Sequence, residues 1–391
     1  MGKNGTQQIQ TQTTQLRLVN SGLDYFEATV QLIREAKREL HLQTYIFDPD
    51  ETGQQVALEL KQAAQRGVKV FLLVDAFGSK KLTKDFIKDL QSAGIKFKAF
   101  SPLFSRQGLY FGRRMHQKIT VADGEVALIG GINISNKYRG DEKNEPWLDF
   151  AVLMEGQVCR DAKTLCANVW GYRYSTKDWF PKRRKISQPE KFVRLLHNDW
   201  FRHKSEIFNA YLRSVRQAKS SITVIASYFL PGKRFRKALI KASKRGVKIK
   251  LILPGLSDVP LMKYAITWLY DLLFRHNVEI YEWGSSILHA KAMLVDGNWC
   301  TIGSFNLINL SAYGSIETNV EIRDVEFVRD FEKRMNELCA GCEEISVEAY
   351  KRRKYWLWQF RNWLSYQLIR MSFFVMTFFS YRRIGSRYLT E

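Results

Sequence analysis

The apolar positions of the chain predict alternating strands and helices, and the same succession occurs twice. Ala36-Lys37 through Tyr45-Ile46-Phe47 has its counterpart in Ala218-Lys219 through Tyr228-Phe229. A helix follows each run and is closed by Arg66-Gly67 in one copy and Arg245-Gly246 in the other. Strands then open with Val68-Lys69-Val70-Phe71-Leu72-Leu73-Val74 and Val247-Lys248-Ile249-Lys250-Leu251-Ile252-Leu253. Glycine after a helix and a β-branched run behind it is the expected punctuation between the two element types. A further helix and a further strand complete each half. Alternation of this kind predicts an α/β architecture with helices flanking the sheets. Two large copies do not make a solenoid, so a duplicated domain with a site at the seam is expected.

The last strand of each half has its own pattern. In Met115-His116-Gln117-Lys118-Ile119-Thr120-Val121 residues alternate as in a strand, which puts His116 and Lys118 on one face. Leu288-His289-Ala290-Lys291-Ala292-Met293-Leu294-Val295 does the same for His289 and Lys291. Asp123-Gly124 and Asp296-Gly297 follow as hairpin turns, each leading into another apolar strand that ends in glycine. Outside the repeats, residues 1–16 are Gln/Thr-rich without apolar periodicity and are expected to form a tail. Residues 175–191, with Pro181, Pro189 and Lys182-Arg183-Arg184-Lys185, suit a solvated connector. The expected domains are therefore 17–174 and 192–347, followed by a separate segment at 348–391.

Composition and charge narrow the picture further. With 391 residues and 45% apolar content, the chain can form two sizeable cores. Five cysteines without regular pairing do not form a disulfide framework, and Cys339-Ala-Gly-Cys342 lacks the second pair that zinc would need. No apolar h-region follows the N-terminus, so no cleavable signal is expected. A formal net charge of +22 and a pI near 9.7 call for an anionic partner, nucleic acid or a phospholipid surface.

The candidate chemistry is doubled as well. His116, Lys118, Asp123, Gly130 and Asn133 recur with identical spacing as His289, Lys291, Asp296, Gly303 and Asn306. Two imidazoles, two ammoniums and two carboxamides suit reaction at one phosphodiester, supplying a nucleophile, a proton donor and donors around the phosphate oxygens. Asp123 and Asp296 complete the motif and are counted with His116, Lys118, His289 and Lys291 in the catalytic set. As turn residues they are expected to support their hairpins rather than move protons. An imidazole usually needs a carboxylate on its far nitrogen. Asp149 and Glu317 occupy the same place after each motif, and the expected pairs are Glu317 with His289 and Asp149 with His116. The longer first-half spacing comes from an insertion around Asp141 to Pro146.

These residues resemble the phospholipase D superfamily over about residues 17 to 347. Within it, the chain is most similar to bacterial cardiolipin synthases of the type without N-terminal membrane spans. The narrower likeness rests on Tyr45-Ile46-Phe47, Arg66-Gly67-Val68, Val74-Asp75 with Gly78-Ser79, and Gly130-Gly131-Ile132-Asn133. In the second half it rests on Ser227-Tyr228-Phe229-Leu230-Pro231 and Leu288-His289-Ala290-Lys291. Gly131 stands where the second copy has Ser304, another point of likeness. The resemblance implies two tandem α-β-α sandwich domains related by a pseudo-two-fold axis. It also implies two-step exchange without metal or cofactor. One histidine, His116, attacks phosphorus. The other, His289, protonates the leaving alcohol and then deprotonates the acceptor. Lys118, Lys291, Asn133 and Asn306 hold the phosphate oxygens. Activity bell-shaped in pH is expected of such a pair.

The resemblance leads to cardiolipin made from two phosphatidylglycerols, with glycerol released. A hydrolase or transphosphatidylase on other phospholipids, or a nuclease, stays open as the alternative. Lys351-Arg352-Arg353-Lys354 leads into Tyr355-Trp356-Leu357-Trp358-Gln359-Phe360 and the apolar run Met371 to Phe379. No charge-free stretch there reaches about eighteen residues, the length that would suggest a spanning helix. A basic, aromatic helix lying in the lipid interface is expected, at the cytoplasmic face of the membrane. Packing of this helix on the protein core is the competing reading. The tail is too apolar for a solvated nucleic-acid arm, so nucleic acid is not the expected partner. Oligomeric state is left open, since both motifs lie in one chain.

Overall fold

The computed structural model describes residues 14–101, 104–105, 108–109, 114–171, 192–199, 204–308, 314–352 and 355–385. The expected connector and most of the N-terminal tail lie outside the described residues. In the first half, strand β1 (Gln15–Asn20) and helix α1 (Leu23–Glu35) lead into β2 (Glu39–Thr44). Then come α2 (Glu51–Gln65), β3 (Lys69–Asp75), α3 (Lys84–Ser92) and β4 (Lys96–Phe100). The half closes with β5 (Lys118–Ala122), β6 (Val126–Gly130), β7 (Phe150–Glu155) and α4 (Gln157–Trp170). β1 starts inside the segment expected to be a tail, because its residues pair with β7 from Gln15↔Glu155 to Asn20↔Phe150.

The second half repeats the plan with β8 (Phe192–Asp199), α5 (Glu206–Gln217), β9 (Ser221–Ala226) and α6 (Lys233–Lys244). It continues through β10 (Lys248–Pro254), α7 (Pro260–Trp268), β11 (Val278–Trp283), β12 (Lys291–Val295) and β13 (Trp299–Gly303). β14 (Ser315–Arg323), α8 (Val325–Ala340) and the long α9 (Trp356–Gly385) end it. The first sheet runs β1-β7-β6-β5-β2-β3-β4, and the second contains β8-β14-β13-β12-β9-β10-β11 in the same spatial order. In both, the strands before and after the Arg-Gly turn pair in parallel, and the motif strand joins antiparallel. The duplication is thus one of topology as well as of sequence.

Packing forms three layers of apolar contact. One core lies between the first sheet and α1 and α2, with Ile33, Leu60 and Leu72 fully buried. Another lies between the second sheet and α5, α6 and α7, around Tyr211, Phe235 and Leu251. The third joins the halves. Ile119, Ile129 and Phe150 from one sheet and Ala292, Ile302 and Val320 from the other meet α4 and α8 there. Each sheet is therefore covered on both faces, which explains why its strands read as continuous apolar runs. The Phe150 and Phe331 rings meet edge to face at 5.7 Å across this shared layer. Two α-β-α sandwiches with a common central layer place the ends of both motif strands against each other.

Both hairpins form as expected. Asp123 and Gly124 have φ of 55° and 71°, and Asp296 and Gly297 have 53° and 61°. Two successive left-handed residues suit the tight turn that matches strand twist, which is why Asp-Gly stands at both.

Candidate active site

The site forms where the backbone changes sheets. β2 and β3 end at the same edge where β5 begins, so Tyr45 and Asp75 lie beside His116. Met115 donates its N–H to Asp75 Oδ2 at 2.9 Å, and the Tyr45 and His116 rings stand 5.0 Å apart. Just before β5, Arg114 and Met115 leave their own sheet and pair in parallel with Ser315 and Ile316 of β14. The His116 N–H then donates to the Ile316 carbonyl at 2.9 Å. The opposite exchange occurs at the other motif, where the His289 N–H donates to the Leu148 carbonyl at 2.8 Å. Each histidine is pinned by the backbone of the other half.

That exchange decides the carboxylates. His116 Nδ1 lies 2.9 Å from Glu317 Oε2, and His289 Nδ1 lies 2.6 Å from Asp149 Oδ2. The expected pairs were the reverse. The reason is geometric: Glu317 is two residues into β14, which carries the start of the first motif strand, and Asp149 follows Leu148, which carries the start of the second. Both carboxylates are buried, so the contacts fix which ring nitrogen faces away. Nε2 of each histidine thus faces away from its carboxylate.

The supporting residues differ between the two sides. The Ser304 hydroxyl donates to Glu317 Oε2 at 2.6 Å. Its counterpart Gly131 offers no hydroxyl, and a Cβ there would run into both carboxylate oxygens of Asp149. Tyr138 and Trp147, which flank the first-half insertion, cover His289 with ring centroids at 5.1 and 6.0 Å. The Tyr138 hydroxyl lies 3.3 Å from His289 Nε2 and accepts from Asn133 Nδ2 at 2.7 Å. The side chain of His116 is 16% exposed and that of His289 9%.

Lys118 and Lys291 are both buried. Lys118 Nζ donates to the His116 carbonyl at 2.7 Å and stands 5.5 Å from the Tyr45 ring. Lys291 Nζ donates to the His289 carbonyl and lies 2.8 Å from His289 Nδ1. Burial, and then the charge of Lys291, push Lys118 down to about 7. Burial pushes Lys291 down to about 8 against the pull of Asp149, Asp258 and Glu317. Burial holds His116 below its ordinary value although Glu317 opposes it. Burial, with Lys291 and Lys118 adding to it, holds His289 well below. Burial raises Asp149 to about 7. Desolvated cations facing one another form a site that a phosphate anion would relieve. Among the described residues no group of three or more His, Cys, Asp or Glu side chains is placed to hold a metal ion.

The remaining motif residues fall in three places. Asn133 Oδ1 accepts from the Ile46 N–H at 3.0 Å and its amide goes to Tyr138, so both ends of its side chain are engaged by protein groups. Asn306 is buried and its Oδ1 accepts from the Ser227 hydroxyl at 2.8 Å. Asp123 and Asp296 are absent from the site and correct their inclusion in the catalytic set. Asp123 lies at the far end of β5, about 20 Å from His116 at strand rise. Its carboxylate accepts from the N–H groups of Lys37, Arg38 and Glu39 at 2.8–2.9 Å. Asp296 does the same for Lys219, Ser220 and Ser221. Burial acts to raise both carboxyls, but these backbone donors outweigh it and hold them low. They close the chain before β2 and β9.

Sequence reasoning missed Tyr45, Gln117 and Tyr138. Gln117 Nε2 reaches Gln43 at 2.5 Å while its oxygen accepts from Thr318 of the other half at 2.9 Å. A polar residue facing opposite to His116 and Lys118, into a core, was the available signal. For Tyr138 the signal was the pair of aromatic residues, Tyr138 and Trp147, on either side of the insertion.

Two imidazoles just ahead of the motif strands, each with a buried carboxylate and a desolvated lysine, on two fused sandwiches define a phospholipase D-type enzyme of phosphodiester exchange. Residues 29–145 and 211–339 match the family described as "Cardiolipin synthase, PLD-like domain", and the chain belongs to that family. It is 34% identical over 349 residues to cardiolipin synthase B of Escherichia coli K12, covering 87% of this chain and 84% of the relative. It is 30% identical to minor cardiolipin synthase ClsB of Bacillus subtilis 168, covering 87% and 85%. In fold it is similar to the crystal structure of phosphatidylserine synthase from Haemophilus influenzae Rd KW20. The TM-score is 0.73 at 14% identity, covering 93% of this chain and 95% of the other. The chain is a phosphatidyltransferase of the phospholipase D type.

Proposed function

We propose that this enzyme transfers a phosphatidyl group from one phosphatidylglycerol to another, forming cardiolipin and releasing glycerol. The observation that carries the reading is the crossed His–carboxylate arrangement around two buried lysines. His116 Nε2 attacks phosphorus, and the departing glycerol oxygen takes a proton from His289, whose protonated form the charge of the bound phosphate stabilises against burial. The acceptor hydroxyl then gives its proton to His289 and displaces His116, so one phosphodiester is exchanged for another without external energy. Lys118 and Lys291 stabilise the charge on the non-bridging oxygens in both steps. His116 takes the nucleophile's role because its ring is the more accessible. Purified protein with phosphatidylglycerol vesicles is expected to yield cardiolipin and glycerol. Phosphatidic acid alone would make it a hydrolase, and no lipid product would send the reading to nucleic acid.

The C-terminal helix supports a membrane partner. No helix of the described residues is long and apolar enough to cross a membrane. α9 packs with Asn362, Ser365, Tyr366 and Ile369 buried, and Arg236 donates to the Tyr366 hydroxyl at 3.1 Å. Trp356 is 74% exposed, and Leu357, Phe360, Leu364, Leu368 and Met371 also face outward at helical spacing. The helix thus packs on the core and still presents an apolar outer face. Lys351 and Arg352 ahead of it and Arg370 on it suit anionic headgroups. The lipid face is the cytoplasmic surface of the membrane. Flotation with phosphatidylglycerol vesicles, expected for the wild type, is lost on changing Leu357, Phe360 and Leu364 together to Ser. Retention would remove α9 from the account.

A further inference from the structure

The halves diverge at a pair of residues the mechanism leaves unused. Tyr228 follows Ser227, whose N–H donates to the Ala290 carbonyl between His289 and Lys291 at 3.0 Å. The Tyr228 hydroxyl lies 2.8 Å from each carboxylate oxygen of Asp258, in the loop between β10 and α7. By strand register, the first half has Ile46 and Ser79 at these positions. The Ser79 hydroxyl is spent internally, donating to the Tyr45 carbonyl at 3.1 Å and accepting from the Phe47 N–H at 2.9 Å. The polar pair is therefore built on the His289 side alone.

Asp258 is exposed, while its charge is felt at both Lys291 and Tyr138. Leu256, Val259 and Leu261 are exposed around it. A carboxylate in an apolar rim beside a phosphate site opposes the substrate's own charge, so it suits a part of the substrate that donates hydrogen bonds. The nearby lysines disfavour an ammonium group there and favour neutral hydroxyls. A carboxylate has about four lone-pair positions, and Tyr228 uses one of them. The remainder can accept from a hydroxyl beside the reacting one.

We infer that Asp258, oriented by Tyr228, accepts from the secondary hydroxyl of a glycerol headgroup and so aims the neighbouring primary hydroxyl at His289. This rests on the phosphatidyl-transfer reading and deepens it. In the second step the primary hydroxyl's O–H proton passes to His289 Nε2. The oxygen forms its bond to phosphorus as the phosphorus–His116 bond breaks, and the electron pair returns to His116. Tyr228 and Asp258 act as specificity residues for a diol over a simple alcohol or water.

The test is acceptor competition on phosphatidylglycerol vesicles with deuterated glycerol and ethanol together, reading labelled phosphatidylglycerol against phosphatidylethanol. Wild type is expected to prefer glycerol. Asp258→Ala should reduce that preference about tenfold or more, as loss of hydrogen bonds to a charged group implies, with Tyr228→Phe between the two. An unchanged ratio in both variants, or loss of both products in Asp258→Ala, overturns the inference. So does a change in preference confined to ethanolamine added as a third acceptor. Absence of both products from wild type instead sinks the phosphatidyl-transfer reading itself.

Discussion

The two half-sites share their parts and differ in their surroundings. Around His116 stand a glutamate, a serine hydroxyl on that glutamate and the Tyr45 ring. Around His289 stand the shorter aspartate, a glycine in place of the serine, and the Tyr138 and Trp147 rings. One carboxylate is held by a serine hydroxyl and the other by the Phe150 N–H, while His289 alone is enclosed by two aromatic rings and crowded by Lys291. A nucleophile needs access and a fixed far nitrogen, whereas an acid/base group needs a controlled proton. The duplicated motif cannot express this difference, because it lies in residues between and after the motif positions.

The strongest test of the comparison removes the rings. His116→Ala and His289→Ala should each lower transfer by roughly 10⁴-fold or more, as loss of one member of a coupled catalytic set does. Product analysis on vesicles reads this, and substantial residual cardiolipin from either variant would break the assignment. The crossing of carboxylates comes next. Glu317→Gln should lower kcat by about 10²- to 10⁴-fold by leaving His116 in the wrong tautomer. Imidazole ¹⁵N shifts should then change at His116, with a smaller change at His289. Asp149→Asn should do the converse. A response at the same-half histidine would restore the pairing expected from sequence.

That pairing failed for a physical reason. Strand alternation places His116 and Lys118 on one face, and Asp-Gly places the hairpins, because these are local properties. The Arg-Gly turns and the sandwich plan were legible in the same way. The hydrogen bond from the His116 N–H to the Ile316 carbonyl joins residues 200 positions apart, and no local pattern encodes it. Polar Asn362 and Ser365 on the inner side of α9 likewise hid its packing on α7, since the apolar stripe faces out. Asp123 and Asp296 were legible in role but misplaced by their membership in the motif.

Smaller effects sharpen the contrast. Gly131→Ala should displace Asp149 and lower kcat by about tenfold to a hundredfold, and Ser304→Ala should cost about tenfold, one hydrogen bond to a charged group. Equal effects would mean that the two carboxylates are held alike. The pH dependence is the gentlest probe. Phosphate binding needs protonated lysines, and burial lowers Lys118 to about 7 and Lys291 to about 8. In the free enzyme kcat/KM should therefore fall as pH rises through 7 to 8. With phosphate bound, the lysine pKa values rise, so kcat should hold to higher pH. Coincident alkaline limbs for the two parameters would contradict this.

The central claim is that the halves divide the labour, with His116 covalent and His289 moving the proton. Acid-sensitive phosphatidyl-histidine can be trapped by rapid alkaline quench of turnover on phosphatidylglycerol vesicles and located by peptide mass spectrometry. The account predicts the adduct on His116 in wild type and none in His116→Ala. An adduct on His289, or equal labelling of both rings, would contradict it.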